Sequence, residues 1–256
     1  MSGLTFGRVV RAEWTKLFAL RSTWVVMGVV PQLLVGLAAL IGWNASGAAS
    51  GAAAAPGGVT QAVGGGFLVF AVVFGVFGAL VMTGEYGSGL IGATLAAVPR
   101  RLPVLWAKAV VLVVTTGPLM VVTSLLAFLA NQAFAAHPIT LGDPGVVRAI
   151  LGVSAATVAV ALLGLAIGTM LRHTAAAVPV YLGVLVLLPP VLLAALPGAV
   201  RETVLPYLPT PALQAMYHVG DDGVPVLGPA AGTAVSLAWV AVALAGAAVL
   251  LRRRDA

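Results

Sequence analysis

The sequence predicts an all-α polytopic membrane protein. It would have six transmembrane helices, an N-terminal amphipathic interfacial helix, and a short cytoplasmic helix between spans 2 and 3. Three observations carry this. Of 256 residues 61% are hydrophobic and only 8% charged, with a mean hydropathy of +1.11, whereas a soluble domain carries about a quarter charged residues. Stretches without an ionised side chain recur, each long enough to cross a ~30 Å hydrocarbon core. The basic residues then fall almost entirely on one side of the resulting topology.

Residues 5–21 read as a helix lying on the inner membrane surface. At about 100° per residue Phe6, Val9, Val10, Trp14, Leu17 and Leu20 fall on one side, and Arg8, Arg11, Thr15 and Lys16 mostly on the other. Glu13 interrupts the apolar side. Two readings stand for it: a surface pair with Lys16 three residues on, or a contact with a basic residue from another cytoplasmic segment.

From Ser22 to Gly84, 63 consecutive residues carry no ionised side chain. One helix of that length would run about 95 Å at ~1.5 Å per residue, three times the hydrocarbon core, so the stretch crosses twice. Its Ala-, Gly- and Ser-rich middle, with Pro56, is the turning point, giving spans near 24–43 and 64–83. Residues 84–108 form the next cytoplasmic segment, with Glu85 at the end of the second span. Ser88 can cap a short helix carrying Leu90, Ile91, Thr94, Leu95 and Val98. Pro99 ends it, and Arg100 and Arg101 follow, where cations suit a helix C-terminus. Such a helix either docks a soluble partner or rests on the membrane. The remaining spans lie near 109–130, 149–171, 175–196 and 230–251, with Pro179, Pro189 and Pro190 expected to kink or break the fifth. Residues 197–229, with six prolines, form the segment on the far side. Gly75 and Gly78, and Gly164 and Gly168, give small-residue faces for close helix approach. The whole chain, 1–256, reads as one transmembrane domain.

Six spans put both termini on one side. That side holds eleven of the thirteen Lys and Arg residues, leaving only Arg148 and Arg201 opposite, so both termini are expected in the cytoplasm. The net charge of +6 is therefore topology and lipid contact, not a nucleic-acid footprint. A cleavable leader is disfavoured, because the first apolar stretch exceeds a 7–15-residue h-region and Glu13 precedes it. Trp14, Trp24, Trp43 and Trp106 fall near span ends as interfacial anchors, and Trp239 sits mid-span.

Several function classes lack their residues. There is no cysteine, and His137, His173 and His218 lie in loops without a neighbouring ligand at metal spacing. No H-E-x-x-H pair or G-x-S-x-G elbow occurs. The two lysines, Lys16 and Lys108, do not follow glycine as a phosphate-binding loop requires. No span carries Asp, Glu, Lys, Arg or His centrally, which argues against an ion-coupled transporter. No catalytic or metal site is expected, and energy for any work must come from another polypeptide.

The chain resembles the membrane subunit of type-2 ATP-binding-cassette (ABC) exporters, especially small six-span permeases of high-GC bacteria. The residues carrying this are Arg11-Ala-Glu-Trp-Thr-Lys16 with Leu20-Arg-Ser-Thr-Trp24, and Gly84-Glu-Tyr-Gly-Ser-Gly89 with Thr94-Leu95 and Pro99-Arg-Arg101. Gly164-Leu-Ala-Ile-Gly168 with Leu171-Arg172, and Leu205-Pro-Tyr-Leu-Pro-Thr-Pro211, continue it. The resemblance implies an interfacial helix containing Glu13, Trp14 and Lys16. It also implies a coupling helix near 88–98 that fits an ABC ATPase subunit, with Glu85, Tyr86, Ser88, Gly89, Thr94, Leu95, Arg100 and Arg101 serving the coupling. Glu85, Arg100 and Arg101 would transfer force, and Glu13 would hold the interfacial helix. ATP and Mg would sit on the separate ATPase, with no cofactor in this chain. A second permease copy, identical or not, would complete the pathway in a bacterial plasma membrane, and residues 197–229 would be an extracellular re-entrant hairpin. The expected function is export of a lipophilic or amphiphilic substrate such as a drug, peptide or lipid. The alternatives are an ATP-independent facilitator or secondary carrier, and a non-transporting accessory membrane subunit.

Overall fold

The computed structural model describes residues 5–47, 58–97, 101–135, 138–220 and 227–253. Their regular structure is helical throughout, with no strand among the described residues. In order the helices are α1 (Phe6–Ala19), α2 (Arg21–Gly47), α3 (Gly58–Gly64), α4 (Phe67–Gly87), α5 (Leu90–Ala97), α6 (Leu102–Gln132) and α7 (Val146–Leu171). After them come α8 (Thr174–Leu182), a π-helical segment (Gly183–Leu187), α9 (Leu188–Ala195), α10 (Gly198–Val204), a 3₁₀ turn (Leu205–Tyr207), α11 (Pro209–Ala215) and α12 (Pro229–Arg253). Six stretches are long and apolar enough to cross a membrane: Arg21–Asn44, Ala62–Gly87, Leu102–Gln132, Val146–Leu171, Thr174–Leu192 and Pro229–Arg253. The protein is a multi-pass membrane protein.

Helices α4 and α7 form the centre of the bundle, and glycine sets how closely they pack. A Cβ on Gly78 would overlap the Ala161 carbonyl, one on Gly164 would overlap the Gly75 carbonyl, and one on Gly168 would lie 2.6 Å from the Ala79 carbonyl. Between helices in lipid, where hydrophobic burial does not drive association, such close backbone contact supplies dispersion energy. Gly75 also makes room for Tyr181 of α8, whose hydroxyl donates to the Ala71 carbonyl at 2.5 Å. Around this pair α2 packs on α6, and α12 packs on α7. Hydroxyls inside the bundle are mostly satisfied by their own helix: Thr115 bonds Val111, Thr123 bonds Leu119, and Thr157 bonds Val153.

The structure departs from the sequence reading in three places. Ser88 does not cap α5. It closes α4 instead, with its hydroxyl donating back to the Gly84 carbonyl at 2.8 Å, because Gly89 in the left-handed region (φ 73°) separates the two helices. The helix of the third span starts at Leu102, with Pro103 in its first turn where no amide donor is needed, so Trp106 and Lys108 are already helical. The fifth span does not break at its prolines. It runs through Pro179 and takes up a π-helical turn over Gly183–Leu187, just before Pro189 and Pro190.

The segment after α9 folds back into the bundle. Trp239, ten residues into α12 and thus about 15 Å along it, donates its indole N–H to the Tyr207 carbonyl at 2.9 Å. Thr210 reaches the Leu185 carbonyl at 2.5 Å, and Gly232 packs against Ala215. The chain then returns to the end of the bundle, where Tyr217 stacks on Phe67 with ring centroids 5.2 Å apart and Arg148 donates to the His218 carbonyl.

Candidate functional site

The strongest polar feature lies at the opposite, basic end, where α1, the end of α4, α5 and the start of α6 meet. In α1, Val9, Glu13 and Leu17 recur every four residues and form the buried face, so the one carboxylate on the apolar side points at the bundle. In α6, Leu105, Lys108 and Leu112, three and four residues apart, fall on one face and all are buried. In α4, Glu85 occupies the last turn.

These residues meet in a four-charge cluster. Lys108 Nζ lies 2.6 Å from Glu13 Oε2 and 2.6 Å from Glu85 Oε1. Lys16 Nζ lies 2.8 Å from Glu13 Oε1 and 3.1 Å from Glu85 Oε1. Lys16 also donates to Thr94 Oγ1 of α5 at 2.9 Å, while Thr94 itself contacts Glu85 Oε2 at 3.4 Å. Each carboxylate thus takes two ammonium groups, and the cluster is neutral overall. The Lys108 side chain is 2% exposed and that of Glu13 4%. At this burial an ion removed from the cluster leaves its partners unpaired, which costs about 3–5 kcal/mol. Burial works to lower the pKa of Lys16, but the carboxylates of Glu13 and Glu85 outweigh it, so the ammonium is held above its ordinary value.

The remaining residues anticipated from the sequence sit around this cluster. The Tyr86 ring lies under Arg172, whose guanidinium carbon is 5.4 Å from the ring centroid. Arg101 donates to the Leu251 carbonyl at 3.4 Å and so joins the start of α6 to the end of α12. Trp14 is exposed and stacks on Phe18 at 4.9 Å. Gly89 supplies the turn between α4 and α5. Leu95 lies in α5, but its side chain is outside the described residues, as is Arg100 altogether. Helix α5 rests on the bundle through buried Ile91 and exposes Leu90.

Lys108 joins the cluster without having stood out in the sequence, where it is one of thirteen Lys and Arg residues. The signal that could have found it is its i−3 and i+4 spacing from Leu105 and Leu112, which marks it as core-facing. With every carboxylate held by two cations, the cluster is suited to joining four elements rather than to proton transfer or nucleophilic chemistry.

Residues 9–195 match the family model described as ABC-2 family transporter protein. The matched stretch contains all four charged residues of the cluster. No curated protein matches the chain.

Proposed function

The chain belongs to the ABC-2 family of transporter proteins, and from that membership we propose that it is the permease of an ATP-driven exporter in which force enters through α5. As a member it is a membrane-spanning permease subunit of an ABC transporter. The finer reading rests on one observation: Lys16 and Lys108 bind α1, α4, α5 and α6 together through shared carboxylates.

In this reading a separate ATPase subunit holds ATP and Mg and docks on α5, where Leu90 is exposed. When the ATPase dimer closes, α5 is displaced. Thr94 and Lys16 pass the displacement to Glu85 and Glu13, and Lys108 carries it into the third span. The four elements then move as one rigid group against a second permease copy, opening the path to the other side. Arg101, tied to α12, and Arg100 help to transmit the movement, while α1, with exposed Phe6 and Trp14, rides in the membrane interface. The basic end faces the cytoplasm of a bacterial cell with both termini on that side, and the returning segment 197–229 faces outward. The spans are lined by Val, Leu, Phe and Thr, which suits a lipophilic or amphiphilic cargo.

The test is co-purification of the tagged chain with the ATPase encoded beside it, with complex mass measured in lipid. Two permeases with two ATPases are expected. Replacing residues 90–97 with a Gly-Ser linker is expected to release the ATPase while the permease remains inserted. A stable permease that binds no ATPase would replace this reading with an ATP-independent facilitator.

A further inference from the structure

Span α2 carries a glutamine at mid-depth that no described residue satisfies. Gln32 is the twelfth residue of α2, about 16 Å from its start. Its side chain is exposed and has no hydrogen-bond partner among the described residues. Other polar side chains at comparable depth are enclosed: Thr115, Thr116, Thr123, Ser124, Ser154 and Thr157 are buried, and the exposed Trp239 donates to Tyr207. At about 100° per residue, Gln32 lies on the face of α2 opposite Leu34 and Ala38, which pack on the chain's own bundle. A carboxamide facing hydrocarbon forfeits its hydrogen bonds to water without replacing them.

We infer that Gln32 faces a second copy of this chain and hydrogen-bonds across the seam between the two. A carboxamide is both donor and acceptor, so two related by a two-fold axis satisfy each other without another residue type. The backbone on either side permits the approach. Gly28 and Gly36, one turn before and after Gln32, are open, and a Cβ at either would meet nothing within 4 Å. Close-approach glycines elsewhere in the bundle are already filled, as Gly42 is by the Asn131 carbonyl and Gly78 by Ala161. The unpartnered carboxamide carries the inference, and the glycines only allow it. It rests on the proposal above that two permeases assemble, and it names where they touch.

The chain has no cysteine, so single cysteines report contacts without background. Gly28→Cys, Gly36→Cys and Leu33→Cys proteins would be assembled with the ATPase in membranes, oxidised, and scored for disulfide-linked permease dimer. Leu33 is 66% exposed and lies about 100° round the helix from Gln32. The first two are expected to cross-link and Leu33→Cys to cross-link several-fold less. Separately, Gln32→Leu is expected to weaken permease dimerisation about three- to thirtyfold in a dilution series, and Gln32→Asn to restore part of it. Equal cross-linking at all three positions would overturn the inference, as would none, or unchanged dimerisation by Gln32→Leu, in a complex of two-plus-two mass. The reading of two permeases would survive each of these. A permease that is a monomer in its native complex removes both.

Discussion

Lys108 of the third span lies 2.6 Å from Glu13, a residue 95 positions earlier in the helix that precedes the first span. The same ammonium lies 2.6 Å from Glu85 at the end of the second span. One buried cation thereby fixes the relative positions of three elements, and Lys16 adds α5 through Thr94.

Lys108→Met keeps most of the side-chain volume and removes the charge. Glu13 and Glu85 are then left sharing Lys16, and stability is expected to fall by about 3–5 kcal/mol. Adding Glu13→Gln should recover part of that loss, because neighbours in one network couple by about 0.5–3 kcal/mol. Chemical denaturation midpoints in detergent measure both. Additive losses would show that the two side chains do not interact.

Gly78→Ala places a methyl group into the Ala161 carbonyl. Overpacking of this kind costs about 1–3 kcal/mol even though alanine is the better helix former. Gly7→Ala, whose Cβ would meet nothing within 4 Å, is expected to be neutral or slightly stabilising. Thermal unfolding of the two variants side by side checks this, and equal midpoints would contradict the close α4–α7 contact.

Trp239→Phe keeps an aromatic ring but removes the N–H that holds the Tyr207 carbonyl. The expected loss is about 1 kcal/mol, concentrated in faster hydrogen exchange over residues 205–217. Unchanged exchange there would mean that the segment is held by packing alone.

The spans were legible in the sequence because charge is excluded from hydrocarbon, so charge-free runs delimit helices whatever their packing. The close-packing faces of α4 and α7 were legible, though not their pairing: Gly75, Gly78, Gly164 and Gly168 sit at spacings that put bare backbone on one face of each helix. Pairing across distance was harder. Glu13 left two partners open, and the structure shows both, Lys16 on Oε1 and Lys108 on Oε2. The Trp239–Tyr207 bond joins residues 32 apart in the sequence, and no local pattern encodes it. Gln32 was illegible because an uncharged amide does not register in a count of charges.

The raised pKa of Lys16 gives a signed dependence on pH. Burial opposes the shift and the two carboxylates overcome it, so the folded value exceeds the unfolded one. The stabilisation is fully present below the unfolded lysine value, about 10.4, and is lost as pH rises through the higher folded value. The stability difference between wild type and Lys16→Gln should therefore be flat across neutral pH and shrink only in strong alkali. Denaturation series at several pH values test this, and a difference already shrinking near neutrality would contradict it.

ATP hydrolysis by the partner ATPase, assembled in the same lipid with wild-type or Glu85→Gln permease, tests the proposed transmission most directly. Glu85→Gln keeps the shape but removes the charge that Lys16 and Lys108 share. With complex mass and membrane insertion unchanged, permease-dependent stimulation of hydrolysis is expected to fall about fivefold or more. Wild-type stimulation by a fully assembled Glu85→Gln complex would contradict transmission through the cluster.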